Sequence, residues 1–141
     1  NTATYQAGGV FVDSGSLFTM NGGAITGNTA TYGGGGIYIY GGKATLNSGS
    51  SIASNQATYG GGIYNDDGST LTMSGASVTS NQATYGGGIY NDNSLVKLKS
   101  GAITSNIAKT PSGGGILNMG TITGNTGIVH GNTPDDMESW L

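Results

Sequence analysis

Cysteine and arginine are both missing from the 141 residues, and charge of either sign is scarce, with four lysines set against seven aspartates and glutamates. Without cysteine there is no disulfide framework of the kind that staples small secreted domains, so stability must come from elsewhere. Without arginine, and with only Lys43, Lys97, Lys99 and Lys109 under a net charge of −3, the chain lacks the cationic surface that grips nucleic acid or an anionic membrane. No apolar run reaches the roughly 18–20 residues that span a bilayer. No basic start leads into an apolar secretory segment, and no Asn-x-Ser/Thr sequon occurs. The expectation is a processed mature form or a piece of a longer protein. The single histidine, His130, has no cysteine or second histidine with which to hold a metal and is read as a surface residue.

Glycine is abundant, at 29 positions, yet it has no Gly-x-y period, which excludes collagen. Ile, Val, Leu and Met recur at fixed offsets, which argues against disorder. The block Asn-x-Ala-Thr-Tyr-Gly-Gly-Gly-Ile-Tyr opens at Asn55 and again at Asn81, a close variant opens at Asn28, and another copy begins at Asn1. With Asn106 and Asn125 the markers step by 27, 27, 26, 25 and 19 residues. Self-similarity at such a period signals a solenoid, propeller or array.

Within a repeat, apolar and polar residues alternate with the period of strands, as in Leu71-Thr72-Met73 and Val78-Thr79, and no window sustains a helical spacing. Each repeat reads as three short strands joined by turns of Gly, Ser and Asn. The fold expected is all-β: a parallel β-helix (β-solenoid) of about five coils spanning 1–27, 28–54, 55–80, 81–105 and 106–124. A tapering partial rung and tail over 125–141, using Met137 and Leu141, follows. Stacking gives columns: Val10, Ile37, Ile63, Ile89, Ile116; Phe18, Ala44, Leu71, Val96; Met20, Leu46, Met73, Leu98; Ile25, Ile52, Val78, Ile103, Ile122; and the small Ala3, Ala30, Ala57, Ala83, Ala108. Columns of like size are what a continuous stacked core requires. On the opposite parity Thr26, Thr79, Thr104 and Thr123 form a file interrupted by Ala53. Asn28, Asn55, Asn81, Asn106 and Asn125 lie at a turn and are read as an amide ladder that fixes the register between coils.

Gly-Gly-Gly-Ile-Tyr followed by Ile/Val-Thr-Ser/Gly-Asn resembles the paired "GGA-I" and "FxxN" motifs of polymorphic outer-membrane proteins and the repeats of adhesin-like surface proteins. The resemblance covers about residues 1–125, and Asn132-Thr133-Pro134-Asp135-Asp136 is similar to turns between coils in such proteins. Ile or Val stands here where the second motif has Phe. The resemblance implies a right-handed coil displayed outside the cell, secreted or on the cell surface. It does not imply a task, because fold does not fix function.

Polysaccharide-active enzymes share this architecture and need clustered carboxylates with separated pKa values. Asp66 and Asp92 take equivalent places in adjacent coils, about 5 Å apart at sheet spacing. Such a pair suits a raised carboxylate pKa or a cation, but Asn-Asp-Asp-Gly and Asn-Asp-Asn-Ser are also ordinary turn sequences. The calcium nonapeptide pattern is not met, because Gly62 is followed by Ile63-Tyr64-Asn65. No nucleophile has a recurring base beside it, and no glycine run opens a helix with the Lys-Ser/Thr of a phosphate loop. The reading is therefore not an enzyme, with no catalytic, cofactor or metal residues.

Tyrosine supplies two columns. Tyr5, Tyr32, Tyr59 and Tyr85 precede the glycines; Tyr38, Tyr64 and Tyr90 follow them, flanked by Phe11 and Leu117. Parity sends the second column outward, so Phe11, Tyr38, Tyr64 and Tyr90 are read as an interaction strip, or else as a ladder that stiffens the sheet. The bare glycines beside it would admit a flat partner. Residues 1–9 carry no charge, proline or helix pattern to cover the edge of the first coil, which suggests head-to-tail stacking into an oligomer or filament. The function expected is an extracellular structural protein, adhesin-like or filament-forming, associating through its end coils and its tyrosine strip. Alternatives are a carbohydrate- or host-surface-binding module, then ice binding or a polysaccharide-active enzyme. Thr2-Ala3-Thr4 and Thr29-Ala30-Thr31 suggest ice binding, but Gln56, Gln82, Ile107 and Lys109 break the array.

Overall fold

In the computed structural model, which describes residues 1–140, the alternating segments are strands and the repeat steps are the turns of a β-solenoid. Strands Val10–Val12, Ile37–Tyr40 and Ile63–Asp66 begin successive coils, each paired in parallel with its equivalent in the next. Later coils turn corners without a break, in the long strands Thr70–Thr79, Ile89–Thr104 and Ile116–Gly124. Among the described residues there is no α-helix; one 3-10 turn spans Thr126–Ile128.

A second, five-stranded sheet adds a fourth short strand to each coil: Thr2–Ala3, Thr29–Ala30, Gln56–Tyr59, Gln82–Tyr85 and Ile107–Ala108. It carries the alanine column, paired Ala3 to Ala30, Ala57 to Ala83 and Ala83 to Ala108. The two-residue runs at Thr2, Thr29 and Ile107 are too short for alternation to show, so the sequence yields a column there and no strand.

The core is the stack of apolar columns. Ile37, Ile63, Ile89 and Ile116 lie over one another fully buried, as do Leu71, Met73, Val78 and their partners. One coil alone cannot enclose these side chains. Neighbouring coils enclose them jointly, so stability accumulates along the axis. Branched residues suit the half-buried pleated faces that result.

The fifth coil departs from the reading of 106–124 as a shortened repeat. Ile122 pairs with Val96 and so belongs to the second-strand column, while Val129 takes the third-strand place beside Ile103. Thr123 lies beside Lys97, and the file of Thr26, Ala53, Thr79 and Thr104 ends on exposed His130. What shortens is the first corner: Asp92 aligns with Met119 and Leu95 with Thr121, leaving Gly120 where Asn93 and Ser94 stand in coil four. Ile122-Thr123-Gly124-Asn125 copies the Ile25–Asn28 sequence and so imitates a corner it does not form. The true corner is marked by a left-handed residue just before each asparagine, with φ of 65, 56, 57, 58 and 68° at Gly27, Ser54, Ser80, Ser105 and Gly131. Asn132 therefore opens the next rung, 132 − 106 = 26 residues after Asn106. The coil boundary lies at 131/132, and 132–140 form a partial sixth rung in which Met137 stacks beside Ile116. Leu141 lies outside the described residues.

Candidate functional site: an aromatic face and an amide ladder

Tyr38, Tyr64 and Tyr90 do point away from the main core, yet they are only 4, 5 and 7% exposed. The strip of Phe11, Tyr38, Tyr64 and Tyr90 is thus corrected to an inner layer, in which Phe11 alone is open, at 44%. The reason is the glycine run. It folds the Tyr59 and Tyr85 column back over the first strands, so that these rings pack on Tyr38, Tyr64, Tyr90 and Leu117 as a second small core. Gly33 lies against the Tyr64 ring, where an added Cβ would stand 2.5 Å from Cδ1. The other exposed rings are Tyr5 at 65% and Tyr32 at 41% in the outer column, Tyr40 at 41% at the end of the strand Ile37–Tyr40, and Trp140 at 48%.

The rings form a continuous array. Tyr5 stacks on Tyr32 at 5.5 Å and Tyr59 on Tyr85 at 5.2 Å, with Tyr32 bridging to Tyr59 at 5.0 Å. In the inner layer Tyr38 stacks on Tyr64 at 4.9 Å, Tyr64 meets Tyr90 edge-on at 5.0 Å, and Trp140 closes the far end on Tyr85 at 6.3 Å. Offset and edge-on pairs of this kind contribute about 0.5–1.5 kcal/mol each beyond their buried area.

Asp66 and Asp92 anchor the inner hydroxyls. Tyr38 donates to Asp66 Oδ2 at 2.8 Å and Tyr64 to Asp92 Oδ2 at 3.5 Å, while Tyr90 donates to the Met119 sulfur at 3.0 Å. Burial first, then the hydrogen bond to Asp66 and its charge, push the Tyr38 phenol well above its usual range; burial and then the aspartate charges do the same to Tyr64 and push Tyr90 up to about 12. Burial also raises the Asp92 carboxyl, as does the charge on Asp66, against the opposing pull of the Tyr64 hydroxyl. Among the described residues no three His, Asp or Glu side chains gather as a metal would need. The arrangement is a rigid aromatic wall, with its hydroxyls tied to carboxylates.

The amide ladder is built as a relay. Each asparagine gives its backbone N–H and one Nδ2 hydrogen to Oδ1 of the asparagine in the next coil: Asn28 to Asn55 at 2.9 and 3.1 Å, Asn55 to Asn81 at 2.9 and 3.0 Å, and Asn81 to Asn106 at 3.0 Å for both. Asn106 gives both to Asn132 at 2.9 Å. Asn55, Asn81 and Asn106 use the second Nδ2 hydrogen on the Ile25, Ile52 and Val78 carbonyls of the preceding coil. Asn125 is not a rung; its Oδ1 accepts from Gly127 N–H and starts the 3-10 turn. The third glycine of each run makes room for the ladder, since a Cβ on Gly62 or Gly88 would stand 3.0 Å from Nδ2 of Asn81 or Asn106. Those glycines are buried against the next coil and so are closed to a flat partner.

A shorter ladder that alternation hides runs through Asn65, Asn91 and Asn118, with Nδ2-to-Oδ1 bonds of 2.8 and 2.7 Å. It begins where Ile39 gives way to Asn65, which leaves Asn65 Oδ1 buried without a partner. Its signal in the sequence was the inward parity of a polar residue two places after Ile63, Ile89 and Ile116.

No family model, no curated protein and no solved structure matches the chain.

Proposed function

We propose that this chain is an extracellular structural protein, a cell-surface adhesin-like or filament-forming β-solenoid, that makes its contacts through the exposed rings of the aromatic face and through its end coils. The observation that carries the reading is a set of exposed rings, Tyr5, Phe11, Tyr32 and Tyr40 in the first two coils and Trp140 at the far end, linked through the half-buried Tyr59 and Tyr85. Aromatic side chains left in solvent are the usual mark of a contact surface, where they supply large area at little cost in side-chain freedom. The resemblance to polymorphic outer-membrane and adhesin-like repeats supports the same reading, and with it a surface or secreted location. The test is a Tyr5→Ser, Tyr32→Ser, Tyr40→Ser triple variant, scored by electron microscopy for bundling and by retention on cell surfaces. Both should fall while the far-ultraviolet signature of the strands stays; undiminished contacts would remove the aromatic face from the proposal.

The alternative is a carbohydrate- or host-surface-binding module. It is favoured by Tyr40, an open ring whose phenol is raised first by the charge of the nearby Asp67 carboxylate. Competition of surface retention by soluble glycans would favour that module over self-association.

A further inference from the structure

The amide ladder ends in an unusual way. At every earlier step the acceptor for an asparagine lies in the next coil, 25 to 27 residues on. At Asn132 the acceptor is four residues on: Asp136 Oδ1 takes the backbone N–H at 2.9 Å and Nδ2 at 3.0 Å, the same pair of hydrogens at the same distances. The chain supplies a carboxylate oxygen where the next asparagine of the ladder would stand.

The segment carrying Asp136 imitates a coil in other respects. Thr133 N–H donates to the Asn106 carbonyl at 2.9 Å, and Ala108 N–H to the Thr133 carbonyl at 2.8 Å. Asp136 and Trp140 continue along the first-strand edge, accepting from Ile116 N–H at 2.9 Å and donating to the Asn118 carbonyl at 3.0 Å. Asn132-Thr133 repeats the Asn1-Thr2 that opens the first coil, and Met137–Ser139 lies on Ile116–Asn118 as Ile37–Ile39 lies on Val10–Val12. At the opposite end the first-coil strands Thr2–Ala3, Val10–Val12, Leu17–Met20 and Gly23–Thr26 are paired on one side only, and Leu17 is 74% exposed.

The geometry points to residues 132–140 as a built-in end cap that occupies the place the first coil of a second copy would take, with Asp136 standing in for that copy's asparagine relay. This rests on the end-to-end part of the function proposed above and adds its control: the chain is held single while the strap is seated, and it joins head to tail when the strap lifts. A second copy is the occupant that fits, because its Asn1-Thr2-Ala3 and Val10–Val12 match the edge that Asn132-Thr133 and Met137–Ser139 now cover.

The test compares the full chain with Asp136→Ala, with Asp136→Asn, which keeps an acceptor oxygen, and with Met137→Asp, which unseats the strap independently. Hydrogen exchange over 132–140 reads the strap, and sedimentation with electron microscopy reads assembly. Losing two hydrogen bonds to a carboxylate should speed exchange over 132–140 by at least about tenfold in Asp136→Ala. Residues 55–98 should stay protected and Asp136→Asn should behave as the parent. Rods lengthened end to end should then appear in Asp136→Ala and Met137→Asp, and a further Val10→Asp change should abolish them. Unchanged exchange in both strap variants would overturn the cap itself. A strap that loosens without lengthening the rods would overturn end-to-end joining while leaving the aromatic face untouched.

Discussion

Replacing Asn81 with alanine tests whether the amide ladder stabilises the coil or only decorates its corner. Asn81 is fully buried. Its Oδ1 is the acceptor for the Asn55 backbone N–H and for one Asn55 Nδ2 hydrogen, and its Nδ2 serves the Ile52 carbonyl and Asn106 Oδ1. Truncation strands both Asn55 donors. Asn106 Oδ1 keeps the Asn81 backbone N–H and is only partly deprived. Two buried donors without partners, at about 1–3 kcal/mol each, set the expected loss at about 3–5 kcal/mol. That is a large share of the roughly 5–15 kcal/mol a domain has to spare. Asn28→Ala is the internal control. Its Oδ1 serves only the amine and side chain of the exposed Asn1, which water can satisfy, so the loss should be about 1 kcal/mol. Urea unfolding followed by circular dichroism, with hydrogen exchange at Asn55, measures both. Equal losses for Asn81→Ala and Asn28→Ala would refute the argument from stranded donors.

Gly88→Ala should cost about 3 kcal/mol or more, because its Cβ would lie 2.6 Å from the Gly115 carbonyl oxygen and 3.0 Å from Asn106 Nδ2. Gly68→Ala, left-handed at φ 73° but with nothing nearby, should cost only about 1–2 kcal/mol in urea melts. Ser80→Gly, at φ 57°, should gain about 0.5 kcal/mol, since relief of the left-handed penalty exceeds the added freedom of the unfolded chain. In alkali the folded phenols hold their protons longer than the unfolded ones. Tyrosine stabilisation is therefore complete below about pH 10 and lost as pH rises toward 12, the value for Tyr90. Thermal melts across that range should fall steeply in the parent and less in Tyr64→Phe. Asp92 has the opposite sign to a salt-bridged carboxylate: its raised pKa makes the fold more stable as pH drops from neutral toward its unfolded value near 3.8. Asp92→Asn should flatten that dependence and raise the melting temperature at pH 7.

Most of the coil was legible because its cause is local and repeated. Ile37, Ile63 and Ile89 share one environment, and a chain that stacks like on like writes that environment at every turn. The errors fall where one residue type serves two geometries. Asn125 follows Ile-Thr-Gly as Asn28 does, but a corner is decided by the left-handed residue and by what the next coil can accept, and both are met at Gly131 and Asn132. Tyr64 points outward by parity, as read, but parity within a strand says nothing about a loop that returns over it. Only the space left by Gly33 reveals that cover, and bare glycine in a sequence does not say what fills it. The same ambiguity hid the function of the glycine triplet, whose last member makes room for an amide side chain.

The ladder also constrains how such rods can meet. Every asparagine from Asn28 to Asn106 donates toward the later coil and accepts from the earlier one, so the two ends of the solenoid differ chemically: one presents acceptors, the other donors. A two-fold contact between like ends would set acceptor against acceptor, or donor against donor. The ladder therefore favours head-to-tail over two-fold end contacts, and contacts of that type grow into a filament unless something stops them. The aromatic face has no such polarity, since a row of rings can meet its own copy across a two-fold axis as readily as it meets another surface. The axial growth proposed above would call for a device like the Asp136 strap, whereas the proposed lateral association through Tyr5, Tyr32 and Tyr40 would limit itself by burying the face it uses.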